Sequence, residues 1–145
     1  MEDIIIKSIK WGSPEYKEAL ELRNRILRMP LGLDIYDDDL SGEGNDIHIC
    51  AYKGRELAGV LMLTHTGGRS LRMRQVAVRS DLQGKGIGKR MAEFAENLAK
   101  TEGYQEIILH SRKTSEGFYL KLGYHFAGGE FFEVGIPHVE MRKAL

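Results

Sequence analysis

Cysteine, proline and long apolar runs are what this 145-residue chain has least of. With the single thiol of Cys50, no internal disulfide or multi-cysteine zinc site can form. Its apolar neighbours make it read as a buried strand residue rather than a reactive thiol. The three prolines stand at Pro14, Pro30 and Pro137, spaced as punctuation between elements. No segment approaches the ~18 apolar residues of a membrane span, and Met1-Glu2-Asp3 opens without a basic leader region. The expected location is therefore cytoplasmic, with no membrane partner. Net charge is also missing: Lys+Arg and Asp+Glu both count 21, which argues against nucleic acid as a main partner. The acidic run Asp37-Asp38-Asp39 reads as a solvated face or a helix start, since adjacent side chains point in different directions. No metal is expected.

What is present suits one domain spanning residues 1–145, long enough to bury about 68–70% of its extended-chain surface. Ile4–Ile9 is rich in β-branched residues and predicts a first strand. Ser13 as N-cap and Pro14 at the first helical position start a helix that runs to about Met29, where Pro30 ends it. Residues 31–46 predict a loop or short helix. His48–Tyr52 and Leu57–His65 flank Lys53-Gly54-Arg55-Glu56 as a hairpin, and Leu71–Val78 follows after a second turn. A helix from Gly88 to about Glu102 presents Ile87, Met91, Phe94, Ala95, Leu98 and Ala99 on one face and closes at Gly103. Glu106–His110 predicts a short strand in parallel crossover, and Thr114 or Ser115 caps a short helix ending at Gly123. Phe126–Val134 and Val139–Arg142 close the chain as strands, with Gly135-Ile136-Pro137 as the turn between them. The fold class is α+β: a mixed, mostly antiparallel sheet of about seven strands flanked by helices.

Residues 74–90 carry the chemistry. A strand through Val76 and Val78 meets three alternating glycines, Gly84, Gly86 and Gly88, and a helix follows at once. Bare N–H groups at a helix N-terminus, with the positive end of the macrodipole, suit a phosphate or pyrophosphate. Lys85, Lys89 and Arg90 add cationic charge. A Walker loop does not fit, because Gln83 stands five before Gly88 and Arg90 follows Lys89. A dinucleotide fingerprint does not fit either, because Lys89 stands three after Gly86. Gln83-Gly84-Lys85-Gly86-Ile87-Gly88 instead resembles the Gln/Arg-x-x-Gly-x-Gly/Ala loop of the GCN5-related N-acetyltransferase (GNAT) family. Ser115-Glu116-Gly117-Phe118-Tyr119-Leu120-Lys121-Leu122-Gly123-Tyr124 is similar to that family's Ala-x-x-Phe-Tyr-x-Lys-x-Gly-Phe segment, and the element order also agrees.

The resemblance implies acetyl transfer from acetyl-coenzyme A to an amine, in a three-layer α/β/α fold. Its pyrophosphate loop maps onto Gln83, Gly84, Lys85, Gly86, Ile87, Gly88 and Lys89. A backbone N–H among Gln75 to Val78, with Val76, Ala77 and Val78 on the cofactor strand, would polarise the thioester carbonyl. Tyr119 matches the family's acid for the departing thiolate. The incoming ammonium must lose a proton, a task suited to a histidine. The ending Gly135-Ile136-Pro137-His138-Val139-Glu140-Met141 is similar to a bacterial subgroup that includes the glyphosate N-acetyltransferases, which implies His138 as base in preference to Glu133 or a water relay. Arg28, Arg74 and Arg112 match anion-binding arginines of that subgroup, and Arg112 stands where the broad family has asparagine. The expected acceptor is a small anionic amine, and the protein a monomer or homodimer. An acetyltransferase acting on a protein amine, and a non-catalytic acyl-CoA sensor, are the competing readings.

Overall fold

The computed structural model describes residues 3–145; the Met1 and Glu2 part of the leader expectation lies outside them. Seven strands form one sheet: β1 (Ile4–Ile9), β2 (Ile47–Lys53), β3 (Glu56–His65), β4 (Ser70–Val78), β5 (Glu106–Arg112), β6 (His125–Glu133) and β7 (Ile136–Ala144). Their spatial order is β1-β2-β3-β4-β5-β7-β6. Every neighbouring pair is antiparallel except β4 and β5. The helices are α1 (Pro14–Arg23), α2 (Ile87–Thr101) and α3 (Glu116–Lys121).

Strand pleating sorts the core onto two faces. Ile49, Ala51, Leu61 and Leu63 pack with Met91, Ala92 and Ala95 of α2. The alternate residues Cys50, Tyr52 and Val60 pack with Ala19 and Leu22 of α1. The sheet is thus the middle of three layers. Burial pushes the Cys50 thiol up to about 12, so it stays a protonated packing group, as its neighbours predict.

Local chemistry accounts for most boundaries. The Ser13 side chain accepts from the Tyr16 amide at 3.3 Å, with Pro14 in the first turn. The helix expected to reach Met29 changes at Arg23, however. Asn24–Arg28 widens into a π turn, with the Met29 amide donating to the Asn24 carbonyl, and Pro30 offers no N–H to continue the ladder. Strand β7 starts at Ile136 and takes in Pro137, where a turn was expected; the turn lies one step earlier, at Val134 (φ 47°) and Gly135 (φ 76°). Residues 113–115 form a 3-10 turn, and Ser115 makes no side-chain capping bond to α3.

One irregularity shapes everything near the site. Val60 pairs with Ala77 but Met62 pairs with Arg74, so β4 carries one extra residue between them. Gln75 absorbs it at φ 56°, a left-handed conformation costly for a residue with a Cβ. The bulge inverts the pleat: Leu71 and Met73 face the α2 core, whereas beyond it Ala77 joins the α1 side. Beneath the bulge lies a buried ion pair. Arg23, 1% exposed, donates two bonds to Glu43 at 2.8 and 2.7 Å, and its Nε reaches Gln75 Oε1 at 3.4 Å. The Tyr16 hydroxyl donates to Glu43 at 2.7 Å, and His48 Nε2 donates to the Glu43 carbonyl oxygen at 2.8 Å.

Burial alone would push the Glu43 carboxyl up, but bonds from Arg23 and Tyr16 and the arginine's charge outweigh it and hold it below the ordinary range. Its contribution to stability is therefore present above the unfolded value of ~4.3 and lost as pH falls through the depressed folded one. Glu43→Ala, which strands a buried guanidinium, is expected to lose about 3–5 kcal/mol in urea titrations at pH 7. The wild-type excess over this variant should shrink as the titrations are repeated below about pH 4.

Candidate active site

Strands β4 and β5 pair only from Ser70 with Glu106 to Met73 with Leu109. Beyond that the extra residue at Gln75 turns β4 away, and a cleft of about 790 Å³ opens between them. On the β5 side, the backbone of residues 74–78 has no strand partner, so its N–H and C=O groups form an open edge inside the cleft. Val76, Ala77 and Val78 all line it.

The floor of the cleft leads to the glycine turn. Gly84 (φ 78°) and Gly86 (φ 84°) take left-handed conformations, and Gly86 stands as N-cap of α2 without a side-chain cap. The first N–H groups of α2 are thereby left to a ligand. Gln83 ties the turn to the strand, its amide donating to the Val78 carbonyl at 3.0 Å. Gly88 serves packing instead: a Cβ there would come 3.2 Å from Phe118 Cζ. Gln83, Gly84, Gly86, Ile87, Gly88 and Lys89 line the cleft, while the Lys85 side chain does not. Arg90 also differs from the expectation, since its guanidinium donates to the Ile4 carbonyl at 3.0 Å. What the turn could offer an anion is mainly backbone, with Lys89 as the cation that lines the cleft beside it.

Tyr119 and His138 both reach the cleft. Tyr119 is buried, and its hydroxyl has no protein hydrogen-bond partner among the described residues. Burial raises its phenol, so it stays protonated at neutral pH and able to donate. In His138, Nδ1 lies 2.9 Å from the Ile136 carbonyl oxygen. A carbonyl only accepts, so Nδ1 carries the hydrogen and the Nε2 lone pair is free. The ring stacks on Phe131 at 6.0 Å, and Nε2 stands 3.7 Å from Glu133 Oε2. Burial would raise the Glu133 carboxyl, but contact with His110 and the charges of Arg72 and His110 hold it below its ordinary value.

The three arginines singled out in the sequence all line the same cleft, but they are not equivalent. Arg28 is already bound to Asp38, at 2.9 Å between Nη2 and Oδ2. Arg74 has only a long contact to Thr64 Oγ1 at 3.4 Å. Arg112 donates to the Leu27 carbonyl at 3.1 Å and has no carboxylate partner among the described residues. Its pKa is lowered by burial and then by the nearby charge of Arg28, the mark of a cation short of an anion. Two further cleft residues are Arg72, which escaped the sequence reading, and His110, which the sequence offered only as one of five histidines that could serve as base. Their signal was the alternation Arg72/Arg74 and His110/Arg112 opposite the apolar positions of β4 and β5. Phe118, Ser111 and Gln75 also line the cleft.

The model of the acetyltransferase (GNAT) domain matches residues 34–145. A Bacillus subtilis protein named as an acetyltransferase is 32% identical over 133 residues, 86% of each chain. A Lactobacillus plantarum N-acetyltransferase crystal structure superposes with a TM-score of 0.84 at 25% identity, covering 99% of this chain and 97% of that one. A Bacillus subtilis acetyltransferase in complex with CoA gives a TM-score of 0.76 at 22% identity, covering 99% of both. Among the described residues, no helix is long and apolar enough to cross a membrane.

Gly86→Ala places a Cβ on a backbone at φ 84°, at a cost of roughly 1–2 kcal/mol. Calorimetric titration with coenzyme A should show affinity falling about ten-fold, whereas Lys85→Ala should stay within about two-fold of wild type.

Proposed function

Since this chain belongs to the GNAT acetyltransferase family, we propose that it transfers an acetyl group from acetyl-coenzyme A to the amine of a small anionic molecule. The observation that carries the reading is the open β4 edge running from Arg74 into the glycine turn. Acetyl-coenzyme A supplies the activated acyl group as a thioester. Backbone N–H groups from Gly84 to Lys89 would hold its pyrophosphate at the positive end of α2. The unpaired edge of residues 76–78 can take an amide-bearing arm as an added strand. An N–H of the same edge then faces the thioester carbonyl and stabilises negative charge as it develops on oxygen.

Protons are handled by side chains from the two ends of the cleft. His138 Nε2 takes one proton from the acceptor ammonium, which frees the nitrogen lone pair. As the C–N bond forms and the C–S bond breaks, the nitrogen loses a second proton. Tyr119 gives its phenolic proton to the leaving sulfur and is reprotonated from that pool. The sum is an amide, a thiol and one released proton. Arg112 and Arg74, each lacking a carboxylate partner among the described residues, favour an acceptor that carries an anion of its own. These arginines and the Gly135-Ile136-Pro137-His138 ending support kinship with the subgroup that includes the glyphosate N-acetyltransferases.

Thiol release from acetyl-coenzyme A, measured with anionic, neutral and cationic amines, tests the assignment. Anionic amines are expected to turn over fastest. His138→Ala should lower kcat by about 10²-fold or more, and Tyr119→Phe by a smaller factor with coenzyme A affinity unchanged. Arg112→Ala should raise the acceptor KM about ten-fold while leaving that of acetyl-coenzyme A alone. Coenzyme A binding with no turnover of any amine would return the chain to a sensor role.

A further inference from the structure

The Glu133 carboxylate divides its two oxygens between different tasks. Oε1 closes a tight triangle with Arg72 Nη2 at 3.2 Å and His110 Nδ1 at 3.1 Å, and those two atoms lie 2.7 Å apart. His110 is held in turn against Phe131, ring centroids 4.9 Å apart, with Glu140 3.8 Å from its other nitrogen. Oε2 is left toward the cleft. Across from it stands His138 Nε2 at 3.7 Å, too far for a direct hydrogen bond. In the neutral ring both atoms are acceptors, because the one hydrogen of His138, on Nδ1, is committed to the Ile136 carbonyl. Two acceptors facing one gap, with no donor between them, make a site for a nitrogen that donates to both.

We propose that Glu133 Oε2 and His138 Nε2 together grip the acceptor's ammonium, Glu133 binding its charge while His138 removes its proton. This rests on the acetyltransferase reading above and gives it a substrate class: a primary ammonium carried on a molecule whose anionic end reaches Arg74 or Arg112. The hairpin enforces the pairing. Val134 and Gly135 turn the chain so that Glu133 stands opposite Ile136 and His138 opposite Phe131. Arg72 from β4 and His110 from β5 then pin the carboxylate from the far side. A secondary amine keeps two N–H bonds as its ammonium and still fits; a quaternary one does not.

The experiment uses the full chain with saturating coenzyme A and histidine ring resonances as the readout. β-Alanine, with ammonium and carboxylate, is compared with propionate, which has the carboxylate alone. In wild type β-alanine should bind at least about ten-fold more tightly, with the larger shift at His138. In Glu133→Gln the two should bind alike, and in Arg112→Ala both should weaken while their ratio is kept. A ratio unchanged by Glu133→Gln overturns the proposal. Should no amine be acetylated while Glu133→Gln removes the β-alanine preference, the acetyltransferase assignment fails and the ammonium site stands.

Discussion

One surplus residue in β4 is the constraint on which the rest depends. A parallel pair of strands buried in a sheet would continue its ladder to the end of both strands. Here the extra residue at Gln75 rotates the pleat and ends pairing at Met73 and Leu109. The consequence is a wedge of unpaired backbone in the middle of an otherwise closed sheet. Unpaired N–H and C=O groups at such a place need partners from outside the sheet, so the defect in the fold frees the backbone that the proposed function gives to the acetyl donor. The strain of Gln75 is held in place from below by the buried Arg23–Glu43 pair, whose arginine touches the Gln75 amide. A buried ion pair is a poor source of net stability. A structure that depends on a left-handed glutamine staying left-handed has a use for such a directional contact.

Charge divides the cleft into two regions. At the glycine turn, cationic character comes from backbone dipoles and Lys89. At the far end it comes from side chains, with Arg28, Arg72, Arg74 and Arg112 lining a common space with Glu133. A neutral chain by count is therefore locally very cationic, and composition alone hides this. The division suits the two halves of the reaction. In the function proposed above, the donor brings a diphosphate, whose spread negative charge many N–H groups can share, and the acceptor a compact anion of the kind planar guanidinium groups recognise.

How far the sequence told this in advance depended on the range of the interaction. Strand and helix order was legible because hydrophobic period, caps and glycine stops are local. The glycine turn was legible because its spacing is local too. The bulge was not, since nothing about Arg-Gln-Val marks a register shift that exists only against β3. The π turn at Asn24–Arg28 escaped for a like reason: Asn24 Oδ1 accepts from the Ile35 amide at 2.8 Å, a contact eleven residues away. Lys85 and Arg90 are both cations beside a phosphate turn in one dimension. In space Arg90 serves the Ile4 carbonyl and Lys85 lies off the cleft. Glu133 was visible only as a rival to His138, because the sequence cannot say that one of its oxygens is committed to β4 and β5.

The arginines show why position matters more than presence. Arg28 and Arg112 are close enough that the charge of Arg28 lowers the pKa of Arg112, and either alone would serve as an anion clamp. Yet Arg28 is satisfied by Asp38, so an incoming carboxylate there replaces one carboxylate by another and gains little. At Arg112 the same carboxylate meets a half-buried guanidinium whose partner is a neutral carbonyl, and it relieves both burial and repulsion from Arg28. Differential interaction is what converts contact into selectivity. On the function proposed above, the discriminating cation for the acceptor is therefore Arg112, with Arg28 acting through its charge rather than its bonds. Asp38, supplied by the acidic run that looked like a solvated face, sets that difference by occupying the neighbour.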